Sequence, residues 1–138
     1  MASNSRLYET VAALMATGKG ILAADESDGT AGKRLAQVHL PNEPEHRQRF
    51  RQLLFTAPDI EQYLSGVILY DSTIKNETDD GIPFVDVLTA RGIVPGIKVD
   101  TGTRPLIGFK DEVVTQGLDD LGERFAEYYD LGARFAKW

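Results

Sequence analysis

Two lysines interrupt otherwise apolar runs: Lys98 in Val94-Pro95-Gly96-Ile97-Lys98-Val99-Asp100, and Lys137 in Ala133-Arg134-Phe135-Ala136-Lys137-Trp138. Residues two apart on a strand face the same side, so Lys98 projects with Asp100 and Lys137 with Phe135. A lysine in such a run is costly to bury unless it is paired or hydrogen-bonded. One alone is as readily a structural ion pair as part of a site. Two of them, with Asp25 and Asp71 closing two further apolar runs, favour a site. Desolvation and like-charge repulsion loosen a lysine's hold on its proton, as imine or proton-transfer chemistry requires.

A second cluster follows Asp25. The segment Glu26-Ser27-Asp28-Gly29-Thr30-Ala31-Gly32-Lys33-Arg34 sets hydroxyls, glycines and basic residues at the start of a helical pattern. Main-chain N–H groups at such a start can hold a phosphate. The same residue types also make an ordinary N-cap and turn. A nucleoside-triphosphate loop is excluded, because it needs glycine at the position of Ser27 and a hydroxyl at that of Arg34. His39 and His46 have no cysteine partner and read as surface residues, so no metal site is expected. Asn76-Glu77-Thr78 has the form of a glycosylation acceptor, but no export signal accompanies it.

These groups are positioned by a regular alternation. Apolar runs begin near residues 20, 66, 94 and 133. Between them lie helical stripes: Phe50, Leu53 and Leu54 after Pro44; Phe84, Val87 and Leu88 after Pro83; and Leu118, Leu121, Phe125 and Tyr128 up to Gly132. Ile60, Tyr63 and Leu64 make a shorter one, and Leu7, Val11 and Leu14 form a leading helix within residues 1–17. Apolar runs separated by helices read as βα units with a parallel sheet, buried on both faces. The spacing suits the roughly 30 residues per unit of a (β/α)₈ barrel, with insertions in the first and third units. An open doubly wound sheet fits the spacing nearly as well but lacks its glycine fingerprint. Either way the active site belongs at the carboxyl ends of the strands, where Asp25, Asp71, Asp100 and Lys137 fall.

Composition narrows the class. The 138 residues carry 42% apolar and 26% charged side chains, ordinary for one globular domain. A net charge of −6 argues against a broad nucleic-acid surface, though not against one small phosphorylated ligand. The absence of cysteine excludes thiolate catalysis and disulfides. The first twenty residues interleave Arg6, Glu9 and Lys19 with apolar positions, which suits neither signal peptide nor membrane span, so a cytoplasmic location is expected.

Five separated segments in order, spanning residues 18–138, closely resemble class I fructose-bisphosphate aldolases. They are Gly18 to Ser27 (GKGILAADES), Tyr63 to Leu69, Gly96 to Asp100 with Gly102, Thr115 to Asp119 with Leu121 and Arg124, and Ala133 to Trp138. The resemblance implies a (β/α)₈ TIM barrel, of which residues 1–138 are the N-terminal part. Residues 1–17 would be a leading helix, and 18–138 the first four βα units. It also implies a carbon–carbon lyase that reversibly cleaves fructose 1,6-bisphosphate to dihydroxyacetone phosphate and glyceraldehyde 3-phosphate through a lysine imine. No cofactor or metal is used, and the complete protein is expected to be a homo-oligomer, typically a tetramer.

By motif position, Asp25 matches the family's acid that assists proton movement around the carbon–carbon bond, and Lys137 the lysine beside the imine. Ser27 and Thr30 match hydroxyls near the distal phosphate, Arg34 a basic residue bordering it, and Lys98 a lysine contacting substrate. The family's imine lysine lies on its sixth strand and a catalytic glutamate on its fifth, so neither Lys98 nor Lys137 takes the nucleophile's role. Asp28 stands where the family more often has Thr or Asn, and Thr101 often corresponds to a lysine. Both changes remove positive potential from the phosphate end, and Asp28 should weaken phosphate binding unless Lys33 or Arg34 offsets it. The alternative reading is a non-catalytic half-barrel that binds a phosphorylated ligand or a partner chain.

Overall fold

All four apolar runs become parallel strands. The computed structural model describes residues 2–138. In chain order the elements are α1 (Ala2–Leu14), β1 (Gly20–Ala24), α2 (Asp28–Ala36), α3 (Pro44–Phe55), a 3₁₀ turn (Ile60–Gln62), β2 (Leu64–Leu69), α4 (Asp71–Ile74), α5 (Phe84–Ala90), β3 (Val94–Lys98), β4 (Thr103–Pro105), β5 (Val113–Thr115), α6 (Leu121–Asp130) and β6 (Phe135–Lys137). The main sheet runs β1-β2-β3-β6, parallel throughout, with β1 and β6 at its edges. The antiparallel hairpin β4–β5 is inserted between β3 and α6. Its apolar and β-branched positions are too few to form a stripe, which is why it is invisible as a pattern.

The register separates the two faces of the sheet. Ala24, Leu69 and Ile97 are aligned partners on adjacent strands, and all three are buried. With Val67 and Val99 they pack under the helices against Phe55, Phe84, Leu88 and Tyr128. Phe55 and Phe84 meet edge to face, with ring centroids 5.2 Å apart and planes at 86°. That geometry suits the aromatic quadrupoles, and burying each ring contributes about 1.5–3 kcal/mol.

The opposite, concave face is built around two glycines. A Cβ on Gly96 would stand 2.3 Å from the Phe135 ring, and one on Gly66 would stand 2.6 Å from Leu14 Cδ2. Glycine at both positions therefore lets Phe135 and the last turn of α1 lie directly against the sheet. Lys98 pairs in register with Lys137 two residues above the Gly96–Phe135 pair, so both ammonium groups rise from this face at the strands' carboxyl ends.

Three helical expectations change in detail. On α3 the buried side chains are Arg51 and Phe55, four apart, whereas Leu53 is 71% exposed. The inward face is mixed: Phe55 and the partly buried Leu54 join the core beside an arginine whose ion pair is described below. The last stripe begins at Leu121 rather than Leu118: Asp120 adopts a left-handed conformation (φ 55°) that turns the chain into the helix, and Leu118 remains exposed. On α1, Leu7 and Val11 point to solvent. The loop after β1 becomes α2, with Ser27 as its N-cap. No helix among the described residues is long and apolar enough to cross a membrane.

Candidate active site

The carboxyl ends of β1, β2 and β3 open onto a cleft of about 890 Å³. Asp25, Ser27, Thr30, Arg34 and Lys98 all line it. Lys137 joins through its ion pair: its Nζ donates to Asp25 Oδ2 at 2.6 Å, tying the two edge strands of the sheet together across the top of β2 and β3. Asp25 is buried. A carboxylate in that position depends on the ammonium for charge compensation.

Lys98 and Asp100 project together, as their spacing predicts, and they bond to each other. Lys98 Nζ donates to Asp100 Oδ1 at 2.6 Å and to the Asp100 main-chain oxygen at 3.0 Å. The Gly102 N–H also donates to Oδ1, at 3.0 Å. Burial alone would push the Asp100 carboxyl up. The hydrogen bonds from Lys98 and Gly102 outweigh burial and hold it below its usual value.

At the other end of the cleft, the Thr30 N–H donates to Ser27 Oγ at 3.4 Å, and the two hydroxyls lie 3.1 Å apart. The capping role and the position at the cleft coexist: Ser27 starts α2, and that start faces the cavity. Arg34 Nε lies 3.0 Å from Glu26 Oε1, with the arginine side chain 59% exposed. Asp28 turns away from the cleft. Its Oδ1 accepts from Ser72 Oγ at 3.0 Å and lies 3.4 Å from Arg47 Nε. Its charge is thus offset by Arg47, and neither Lys33 nor Arg34 is the partner.

The cleft also holds residues outside the set assigned by motif position, among them Asp71, the acid that closes the second apolar run. Tyr70, Asp71, Arg124 and Tyr128 line it. Tyr128 Oη donates to Asp71 Oδ1 at 2.9 Å, and Lys75 bridges Asp71 and Glu127 at 3.0 Å each. Burial, then the bond to Asp71, raises the Tyr128 phenol above its ordinary value. The Asp71 and Glu127 carboxylates likewise raise Lys75. Arg124 donates to the carbonyls of Val99 (2.8 Å) and Gly117, pinning the return of the hairpin to the end of β3. Tyr128 lies in the last helical stripe, and only its neighbours in space mark it as a cleft residue. His46 Nδ1 lies 3.7 Å from Glu43, and no group of three His, Cys, Asp or Glu among the described residues could hold a metal.

Residues 6–138 match the sequence model described as glycolytic fructose-bisphosphate aldolase class-I. The chain belongs to the class I fructose-bisphosphate aldolase family. It is 54% identical over 136 residues to the probable fructose-bisphosphate aldolase class 1 of Xanthomonas axonopodis pv. citri, covering 99% of this chain and 41% of that protein. It is 56% identical over 135 residues to the cytoplasmic isozyme of fructose-bisphosphate aldolase from Cicer arietinum, covering 98% of this chain and 38% of that one. The chain therefore spans about two fifths of the length of these relatives. In structure it is similar to the fructose-bisphosphate aldolase of Plasmodium falciparum, solved in complex with TRAP and a small-molecule inhibitor. The TM-score is 0.94 at 45% identity, over 97% of this chain and 39% of that one. The parallel sheet is accordingly part of the aldolase (β/α)₈ barrel, with four strands and the helices between them in place.

Proposed function

We propose that this chain supplies one side of an aldolase active site, and that in the complete protein the site reversibly cleaves fructose 1,6-bisphosphate to dihydroxyacetone phosphate and glyceraldehyde 3-phosphate. The observation that carries this reading is the 2.6 Å pair between Asp25 and Lys137, which joins the first and fourth strands of the sheet above the cleft. In cleavage through an imine, the electron pair of the breaking carbon–carbon bond moves toward the iminium nitrogen, while the neighbouring hydroxyl gives up its proton. Asp25 is assigned to assist that proton, and Lys137 to polarise the bound ketone and orient it. Burial of Asp25 makes its charge more effective than it would be in water.

Ser27, Thr30 and Arg34 are assigned to the distal phosphate, with the start of α2 directed at the same place. Lys98, held by Asp100, is assigned to the substrate's other polar groups. The imine lysine belongs to a part of the complete protein outside these 138 residues. The complete protein is expected to be a homo-oligomer working in the cytoplasm.

Borohydride trapping with dihydroxyacetone phosphate, read by intact mass, tests this. A stable adduct is expected on the complete protein and none on the 138-residue chain alone. An adduct on the isolated chain would overturn the assignment of the nucleophile.

A further inference from the structure

Arg51 is a buried cation on α3, 2% exposed, in a small polar cavity that it shares with Glu26, Asp28, Arg47, Ser72 and Thr73. Its guanidinium lies over the Phe50 ring, 4.9 Å from the centroid. Nη2 donates to the Glu26 carbonyl oxygen at 3.1 Å and sits 2.9 Å from Glu26 Oε2. Nε, Nη1 and Glu26 Oε2 have no hydrogen-bond partner among the described residues, so the 2.9 Å contact is an ion pair beside the hydrogen bond to the Glu26 carbonyl. Burying a guanidinium so incompletely satisfied is costly, and packing alone would be better served by leucine or methionine. What the arginine accomplishes is a double hold on Glu26, by main chain and by side chain.

Glu26 occupies a particular position. It lies between Asp25, paired with Lys137, and Ser27, the cap of α2. Its second carboxylate oxygen, Oε1, is the one that meets Arg34 Nε. The two arginines thus share one carboxylate, one from below and one at the cleft. An ion pair between an exposed arginine and a freely moving carboxylate would hold little geometry. With the carboxylate fixed from beneath by a buried cation, Arg34 is held by Nε, and both of its terminal nitrogens remain for a ligand. Arginine presents that pair of donors well to a phosphate.

We propose that Arg51 is a positioning residue for the phosphate end of the cleft: acting through Glu26, it fixes Arg34 and the Asp25–Ser27 main chain, and so governs discrimination for a substrate carrying a distal phosphate. The identity of that substrate rests on the aldolase reading above; the link from Arg51 through Glu26 to Arg34 does not.

Two variants break the link from its two sides, Arg51→Lys and Glu26→Gln, the second nearly isosteric and so the safer for folding. In the complete protein, kcat and KM are measured with fructose 1,6-bisphosphate and with fructose 1-phosphate, which lacks the distal phosphate. Both variants are expected to raise KM for the bisphosphate about tenfold, the scale of one weakened charge-assisted contact, with less than about threefold change for the monophosphate. Equal losses on both sugars, or no loss, would show a merely structural residue and overturn the proposal.

A second readout needs no catalysis. Inorganic phosphate should protect Arg34 from phenylglyoxal, followed by peptide mass, while Arg49, equally exposed and far from the cleft, serves as the internal standard. Half-protection of Arg34 should require about tenfold more phosphate in either variant. An unchanged requirement overturns the link. If Arg51→Lys does not fold, Glu26→Gln decides alone. If the unaltered complete protein cleaves neither sugar, the aldolase reading fails, while the protection experiment still decides the link.

Discussion

Replacing Lys98 with methionine should destabilise the protein by about 2 kcal/mol at neutral pH, the value of a hydrogen bond to a buried charged group. The change removes the 2.6 Å bond to Asp100 Oδ1 and the 3.0 Å bond to the Asp100 carbonyl, while methionine retains the length of the side chain. Asp100, with 11% of its side chain exposed, keeps only the Gly102 N–H as a direct partner. Against the loss stands the relief of desolvating Lys98, whose side chain is 20% exposed, which keeps the figure below the larger cost of breaking a fully buried pair. The pH dependence gives the reasoning its sharpest test. In the native protein the Asp100 carboxyl is held low, so its contribution is present above the unfolded carboxylate value. That contribution is lost as pH falls through the lowered native one. In Lys98→Met, burial acts with less opposition and moves the carboxyl upward. The deficit is therefore greatest at neutral pH and shrinks on acidification. Urea unfolding of both proteins at neutral pH and near pH ~3, below the ordinary carboxylate value, measures it. An equal deficit at both pH values, or one below ~0.5 kcal/mol at neutral pH, would refute the electrostatic account.

Three further outcomes follow from the geometry. Gly117 has φ +123°, and a Cβ there would stand 2.9 Å from the Thr101 nitrogen and 3.1 Å from the Val99 oxygen. Because those neighbours are main chain, Gly117→Ala should cost about 1–3 kcal/mol and loosen the hairpin, seen as faster amide exchange at Thr101 and Gln116. Phe55→Ala empties a fully buried site beside Phe84 and should cost about 3–5 kcal/mol in chemical denaturation; a loss under ~1 kcal/mol would mean the helix collapses into the space. Absorbance near the phenolate band should show a contribution from Tyr128 that titrates above the ordinary value of about 10. That signal should vanish in Tyr128→Phe. The raised native value means the stabilisation is present below the unfolded phenol's pKa and lost as pH rises through the native one.

The local code was legible where burial on both faces leaves continuous apolar runs. That is why the β1, β2, β3 and β6 strands, and the acids and lysines at their ends, are readable in the sequence. Strand-end position and two-residue periodicity likewise placed Asp25, Lys98 and Lys137 at one end of the sheet. The loop from Glu26 to Arg34 could be read as a cap or as a phosphate cradle, and local chemistry does not separate the two because both use the same residue types. Its geometry shows one helix start meeting both descriptions.

What sequence alone determined was therefore the order of the elements, the parallel sheet and the end of it that carries charge. Hydrophobic periodicity encodes all three through bonds and faces local to each segment. Only the tertiary structure decided which charges meet. The partner of Lys137 is Asp25, 112 residues away; the partner of Asp28 is Arg47, and Arg51 reaches back 25 residues to Glu26. No short-range pattern specifies such pairs, because each depends on two elements converging after the sheet has set their register. The same convergence brought one arginine inward beside Phe55 on α3, where it meets a carboxylate from another element.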